Sequence, residues 1–229
     1  MTDKGPDTPV RLAIFDVDGT LIDSQHHIQA AMAHAFASAG RPAPTLAETL
    51  RIVGLSLPLA IGALTPGLPE AERAVIVQAY KDSFGKFRAG APAPLYPGAQ
   101  AALDGLAARP DVLLGIATGK SRRGLDSMLS AHGLTNRFVT AQVADDHPSK
   151  PHPAMVLAAL AETGTPPETA VMVGDTTYDM EMARAAGVRA LGVGWGYHTP
   201  ADLLAAGAER VIASYDELIP ALDGMWGQA

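Results

Sequence analysis

A doubly wound, mostly parallel α/β core interrupted by an all-helical insertion is the fold class the sequence predicts, on three observations. Five or six short apolar runs are separated by helix-length amphipathic stretches, the rhythm of βαβ units. Most runs are consecutive Val, Ile, Leu or Ala rather than a two-residue alternation, which suits strands covered on both faces. Between Phe15 and Val112, however, no second strand is visible, although a crossover needs only about a dozen residues or more.

The first run, Arg11–Phe15, opens the core. In the long interval that follows, Ile28, Met32, Ala35 and Phe36 recur at helical spacing before Gly40 and Pro42. Thr45 and Glu48 have the spacing of a capping box, in which each side chain satisfies an orphan backbone donor. Val77, Tyr80, Phe84 and Phe87 form a further apolar stripe, stopped by the breaker AGAPAP at 89–94. Residues 25–91 are therefore expected to form a four-helix-like domain, with the α/β core assembled from 1–24 and 92–229. In that second part, helices are expected at Ala99–Ala108, Ser121–His132, Ala154–Glu162, Asp179–Ala186 and Ala201–Ala206. Strands alternate with them at Val112–Ala117, Phe138–Val143, Ala170–Val173 and Arg189–Val193, with Arg210–Ala213 as a sixth. Gly133 and Gly187 stand where a helix-terminating glycine belongs.

Composition narrows the function. Of 229 residues, 48% are hydrophobic and 18% charged, so the chain can bury a sizeable core without staples. No cysteine is present, which removes disulfides, thiolate metal sites and a cysteine nucleophile together. Lys and Arg number 17 against 24 acids, a net charge of −7 that disfavours nucleic acid and anionic membranes as partners. The first ten residues, MTDKGPDTPV, hold no apolar leader, and a cytoplasmic enzyme or binding module is the expectation.

The chemistry gathers at strand ends, where open α/β sheets bind ligands. Asp16-Val17-Asp18-Gly19-Thr20 follows the first strand, and a match of this kind arises by chance roughly once in 10⁵ positions at average residue usage. Two carboxylates held by a glycine turn offer one nucleophile or metal ligand and one acid/base group. Thr118 and Gly119 end the second strand with a hydroxyl and open backbone amides ahead of a helix, a phosphate site by construction. Lys120, Arg122 and Arg123 come next, where the helix dipole disfavours cations; Arg122 and Arg123 read as a solvated basic turn. Lys150 lies just past the third strand, at the edge of the same cleft. Asp175 and Asp179 follow the fourth strand; either could cap a helix, but acids at two separate strand ends repel unless a cation neutralises them. All-oxygen ligation suits Mg²⁺.

On these residues the chain resembles the haloacid dehalogenase superfamily over nearly its whole length. The motifs run in order: Asp16-x-Asp18-Gly-Thr-Leu, Thr118-Gly119, Lys150-Pro151 and Gly174-Asp175-x₃-Asp179. The phosphoglycolate-phosphatase-like branch is the nearest in look, through FDVDGTLIDS, VGLSLPLAI, YPGA, KPHP and GWGYHTPADLLAAGAERVI. The resemblance implies a Rossmannoid core with a small helical cap, and a Mg²⁺-dependent phosphatase. It implies Asp16 as nucleophile, forming an aspartyl phosphate, and Asp18 as acid and then base. Thr118 and Lys150 would hold the phosphoryl oxygens, with Gly19, Thr20 and Gly119 beside them. Mg²⁺ would rest on the Asp16 carboxylate, the Asp18 carbonyl and Asp175, with Asp179 as a further ligand or supporting acid.

Within the superfamily, the presence of Asp18 disfavours dehalogenation and phosphonate hydrolysis. A β-phosphoglucomutase-like transfer would call for a histidine and an arginine where this chain has Ile28 and Leu57, although His26 and His27 are close by. Substrate selection falls to the cap, with Ser24, His27, Arg51, Gly54, Ser56 and Lys81 as candidates. A substrate carboxylate could be met by Arg51 or by free amides of Val53–Ser56, or Arg51 could simply lie on a solvated helix face. A small phosphorylated metabolite, 2-phosphoglycolate foremost, is the expected substrate of a monomer or homodimer. The alternatives are a sugar-phosphate or nucleoside-monophosphate phosphatase and a non-catalytic phosphometabolite sensor.

Overall fold

The computed structural model describes residues 9–90 and 92–227, and the side chains of 84–90 lie outside the description. The first eight residues, the breaker residue 91 and the side chains of Phe84 and Phe87 therefore lie outside the described residues. Six strands form one sheet: β1 (Arg11–Phe15), β2 (Val112–Thr118), β3 (Thr140–Val143), β4 (Ala170–Gly174), β5 (Arg189–Val193) and β6 (Arg210–Ile212). Every pairing is parallel, in the order β3-β2-β1-β4-β5-β6. Successive residues of β1 explain why its sequence does not alternate. Ala13 and Phe15 enter one hydrophobic cluster, whereas Leu12 and Ile14 enter the cluster on the opposite face. With both faces covered, every position must be apolar.

Helices α1 (Gln25–Ser38), α2 (Leu46–Leu50), α3 (Leu57–Leu64) and α4 (Glu70–Gly90) fill the interval between β1 and the next core helix, α5 (Ala99–Ala107). The stripe Met32, Ala35 and Phe36 buries against Ile52, Ile61, Leu68 and Ile76, a cluster separate from the two that flank the sheet. Thr45 and Glu48 do form the capping box: the Glu48 amide donates to Thr45 Oγ1 at 3.2 Å, and the Thr45 amide donates to Glu48 Oε2 at 2.8 Å.

The core helices are α6 (Arg122–Ala131), α7 (Ala154–Thr163), α8 (Thr177–Ala185), α9 (Pro200–Ala206) and α10 (Leu218–Trp226). Most elements differ from the sequence reading by one or two residues at a boundary. β3 starts at Thr140 rather than Phe138, because its ladder begins opposite Gly115. β6 ends at Ile212, one residue short of expectation. α8 starts at Thr177, so Asp179 is its third residue rather than its first. α10 is an addition: Leu218, Ala221, Leu222 and Met225 repeat at helical spacing and bury into the core, a signal present in the sequence but not singled out.

The sheet order places the site. From β1 the chain goes outward through β2 to β3, then crosses back to β4 and outward through β5 to β6. Loops leaving β1 and β4 diverge at that reversal, and the crevice between their carboxyl ends is where such sheets bind ligands. Asp16 directly follows β1 and Asp175 directly follows β4.

Candidate active site

The Asp16 amide donates to the Val173 carbonyl at 3.0 Å, which extends the β1–β4 ladder by one residue and aligns Asp16 rigidly. The chain then turns through Gly19, at φ +80°. Glycine is required there twice over: the backbone is left-handed, and a Cβ would lie 2.1 Å from Asp175 Oδ2. Thr20 Oγ1 donates to Asp175 Oδ1 at 2.8 Å, and the Tyr197 amide donates to Asp175 Oδ2 at 3.0 Å. The Thr20 carbonyl in turn accepts from Trp195 Nε1 at 3.1 Å and from the Tyr215 hydroxyl at 2.7 Å. The loops after β1, β4 and β5 are thus tied into one unit beneath the site.

Three acids converge in this unit. Asp16, Asp175 and Asp179 are buried, and each offers a carboxylate oxygen within 4.8 Å of the others. Lys150, fully enclosed, lies 2.6 Å from Asp179 Oδ1 and 3.0 Å from Asp16 Oδ1, the latter an ion-pair contact outside hydrogen-bond geometry. Asp179 closes a capping box at the start of α8: its Oδ2 accepts from the Thr176 amide at 3.1 Å and hydroxyl at 2.7 Å. Capping and a place in the acid cluster are therefore not alternatives for Asp179.

The charge balance is uneven. Burial pushes the Asp16 carboxyl up to about 7; Lys150 pulls it down, while Asp179 and Asp18 push it further up. Burial also raises Asp175 well above the ordinary carboxylate range, reinforced by Asp16 and Asp179 and offset by its bonds to the Tyr197 amide and Thr20. For Lys150, burial alone lowers the ammonium pKa, but Asp16 and Asp179 outweigh it and hold the group above its ordinary value. One enclosed lysine faces three enclosed acids, and among the described residues Asp16 meets no cation besides Lys150. A cation beside Asp16 and Asp175 would supply the missing charge, and an all-carboxylate donor set suits Mg²⁺.

Asp18 sits closer to solvent. Its Oδ1 accepts from Lys120 Nζ at 2.7 Å and from Ser24 Oγ. The helix dipole disfavours a cation at the position of Lys120, and the Asp18 carboxylate offsets that cost. Thr118 is buried, and its Oγ1 accepts from the Lys120 amide at 3.3 Å.

A cavity of about 560 Å³ opens above Asp16, Asp18, Thr118, Gly119 and Lys120. The helical insertion covers it with Ile28, Met32, Ile52, Val53, Leu57 and Tyr80. Among the expected selectors, Gly54, Ser56 and Lys81 line this cavity, whereas Ser24, His27 and Arg51 lie outside the lining. Ser24 is buried behind Asp18, also within 3.2 Å of the Tyr197 hydroxyl. Arg51 is exposed just past α2, and its carbonyl accepts from the Tyr178 hydroxyl at 3.1 Å. Three of the four amides expected to be open are engaged: Val53 donates to Leu50 O, Leu55 to Ile52 O, and Ser56 to Ser149 Oγ at 2.7 Å, which leaves the Gly54 amide.

Insertion and core meet most tightly at Gly119, where a Cβ would lie 2.7 Å from Gly54 O and 2.9 Å from Leu55 O. Both are backbone atoms, so relief requires moving the loop rather than turning a side chain. Gly119→Ala is expected to push the 53–56 loop outward at a cost of about 1–3 kcal/mol. Urea unfolding reads the cost, and faster amide exchange at Ser56 reads the broken Ser149 contact.

Tyr197, Trp195, Tyr215, Tyr178 and Ser149 complete the surroundings. Trp195, Tyr197 and Tyr178 fall in segments that carried the family resemblance, but no local pattern shows that an aromatic residue will reach a carbonyl 175 or 195 positions away.

Comparison with known proteins bears on the family and the fold. The haloacid dehalogenase-like hydrolase family matches residues 13–193. "Probable phosphatase IndB" of Dickeya dadantii is 35% identical over 216 residues, covering 92% of each chain. "Phosphoglycolate phosphatase 1" of Pseudomonas aeruginosa is 30% identical over 224 residues, covering 93% of this chain and 80% of that protein. The crystal structure of a hydrolase from Pseudomonas syringae superimposes with a TM-score of 0.83 at 26% identity, covering 93% of this chain and 98% of that one.

Proposed function

The chain belongs to the haloacid dehalogenase-like hydrolases and is a phosphatase, and from that premise we propose that it hydrolyses a small phosphate monoester in a Mg²⁺-dependent reaction through Asp16. The observation that carries this reading is the Asp16 carboxylate: enclosed, met among the described residues by the Lys150 ammonium alone, and facing the cavity. A carboxylate so placed is costly for a fold and useful as a nucleophile.

An Asp16 oxygen attacks phosphorus in line as the ester oxygen departs, and Asp18 gives that oxygen its proton. Water then attacks the aspartyl phosphate, with Asp18 taking the water's proton, and inorganic phosphate leaves with the Asp16 carboxylate restored. Thr118 and the Gly119 amide face the phosphoryl oxygens from β2, while Lys150 offsets the charge on Asp16 from below. Gly19 and Thr20 keep the turn tight enough for Asp175 to reach the same point. Asp16, Asp175 and the Asp18 carbonyl would hold Mg²⁺, with Asp179 orienting Lys150. The bound ion supplies charge neutralisation that lets one anion approach another. The helices of 25–91 act as the cap that shields the reaction from water.

Relatives bearing the name phosphoglycolate phosphatase make 2-phosphoglycolate the first ester to assay. Phosphate release from a panel of small phosphate esters, with Mg²⁺ and with a chelator, tests the reading. Metal-dependent release is expected, and no release from any ester would overturn it.

Metal binding should also depend on pH in a defined direction. The Asp16 pKa lies near 7 in the folded chain, above its ordinary value of 3.8. Between those values the metal-free fold keeps a proton that the unfolded chain releases, so stability falls as pH rises from about 4 to about 7 and stays low above it. The cation binds the ionised carboxylates and offsets this loss. The rise in Tm on adding Mg²⁺ is therefore expected to be larger at pH 8 than at pH 5, as a thermal-shift titration would read.

A further inference from the structure

The phosphoryl group occupies the floor of the cavity, and the alcohol it leaves must sit beneath the roof. Resting on the phosphatase reading, we propose that the preferred alcohol carries an apolar body, an aryl or branched-alkyl group of about the size of a benzyl ring, and no carboxylate beside the ester.

Size is the first argument. A cavity of about 560 Å³ is of the order that encloses a drug-sized ligand, roughly 300–1,000 Å³, and far exceeds what a two-carbon acid beyond the phosphate fills. Roof chemistry is the second. Ile28, Met32, Ile52, Val53 and Leu57 turn hydrocarbon toward the cavity and Tyr80 adds a ring, while Gln78, Lys81 and Asp82 line it from α4 and Ser56 from the loop before α3. Hydrocarbon facing a cavity is stabilised by an apolar ligand and gains nothing from a charged one.

The third argument is the state of the donors. A carboxylate beside the ester would be stripped of water under this roof and would need a cation or open amides there. Lys150 is held by Asp16 and Asp179, and Lys120 by Asp18. The amides of Val53, Leu55 and Ser56 are engaged, which leaves the single amide of Gly54, too few donors for a carboxylate, and Arg51 lies outside the lining. Lys81 and Arg123 do line the cavity, but both are exposed, where water screens them.

Binding separates this proposal from the phosphatase reading. Three phosphonates replace the ester oxygen by a methylene and differ only beyond it: ethylphosphonate, 3-phosphonopropionate and phenethylphosphonate. Calorimetry on the full chain with Mg²⁺ is expected to give phenethylphosphonate a Kd at least ten-fold below that of either other compound. In Leu57→Asn, that advantage is expected to shrink several-fold; Leu57 is only half-buried, so the fold tolerates the change. Equal affinities, or 3-phosphonopropionate binding tightest, would overturn the proposal, as would an advantage untouched by Leu57→Asn. Methyl phosphate, too small to reach the roof, reports the chemistry alone. If it is not hydrolysed while phenethylphosphonate keeps its ten-fold advantage, the phosphatase reading falls and the roof assignment stands.

Discussion

Asp16→Asn is expected to lower kcat for phosphate release by about 10⁴-fold or more, the scale seen when a covalent nucleophile is removed from an otherwise intact site. The amide keeps the shape of the carboxylate, so Gly19, Thr118 and the cavity have no reason to rearrange. What it loses is the anionic oxygen that bonds to phosphorus. It also loses a buried charge whose pKa is already pushed up to about 7 by burial, against the pull of Lys150. The metal-free variant is therefore expected to be as stable as the parent at pH 8, because one of three crowded acids has been neutralised while Lys150 keeps Asp179 at 2.6 Å. Two measurements check this: phosphate release under saturating ester and Mg²⁺, and rapid-quench trapping of protein-bound phosphate, which the variant should not form. Hydrolysis within ten-fold of the parent would take the nucleophilic role away from Asp16.

Lys150→Met should cost more than activity. Methionine fills nearly the same volume without the charge, leaving Asp16 and Asp179 buried together beside Asp175. Breaking an enclosed pair from one side typically costs about 3–5 kcal/mol, because the remaining charge has neither water nor partner. Solvent screening offers no discount, since the Lys150 and Asp179 side chains are wholly enclosed. The cost has a pH signature. At pH 5 the Asp16 carboxyl already carries its proton, so Lys150 pairs one charge fewer there and part of the penalty disappears. The expected result is a large loss of urea stability at pH 8, a smaller one at pH 5, and partial recovery with Mg²⁺. A loss equal at both pH values and insensitive to Mg²⁺ would trace the effect to packing rather than to unpaired carboxylates.

These results concern residues legible in the sequence, and the reason is local. Asp16, Thr118 and Asp175 stand at or directly after apolar strands, and a parallel sheet brings the carboxyl ends of its strands to one edge. The absence of a strand after Phe15 was as readable, because ninety-odd residues cannot serve as a simple crossover; the helices found there follow the stripe of Met32, Ala35 and Phe36. Less was legible where side chains act at a distance. Ser24 and Arg51 sit in segments that border the site. Yet Ser24 turns inward to Asp18, and Arg51 presents its carbonyl to Tyr178 while its side chain stays in solvent. Lys120 was visible as a cation in the wrong half of a helix dipole, but not its partner, Asp18, 102 residues earlier.

By itself, then, the sequence determined the layered α/β core, the helical insertion, the acids and lysine of the site, and a chemistry free of cysteine. Periodicity and strand-end position are properties of neighbouring residues, so they survive being read in one dimension. Tertiary structure decided the rest: that Asp179 caps α8 and holds Lys150 at once, that aromatic residues of the β5–α9 and β6–α10 connections fix the Thr20 carbonyl, and that the cavity has a charged floor and a mainly apolar roof. Each of these depends on which groups remain unpaired once the chain has closed, and that can be counted only in three dimensions.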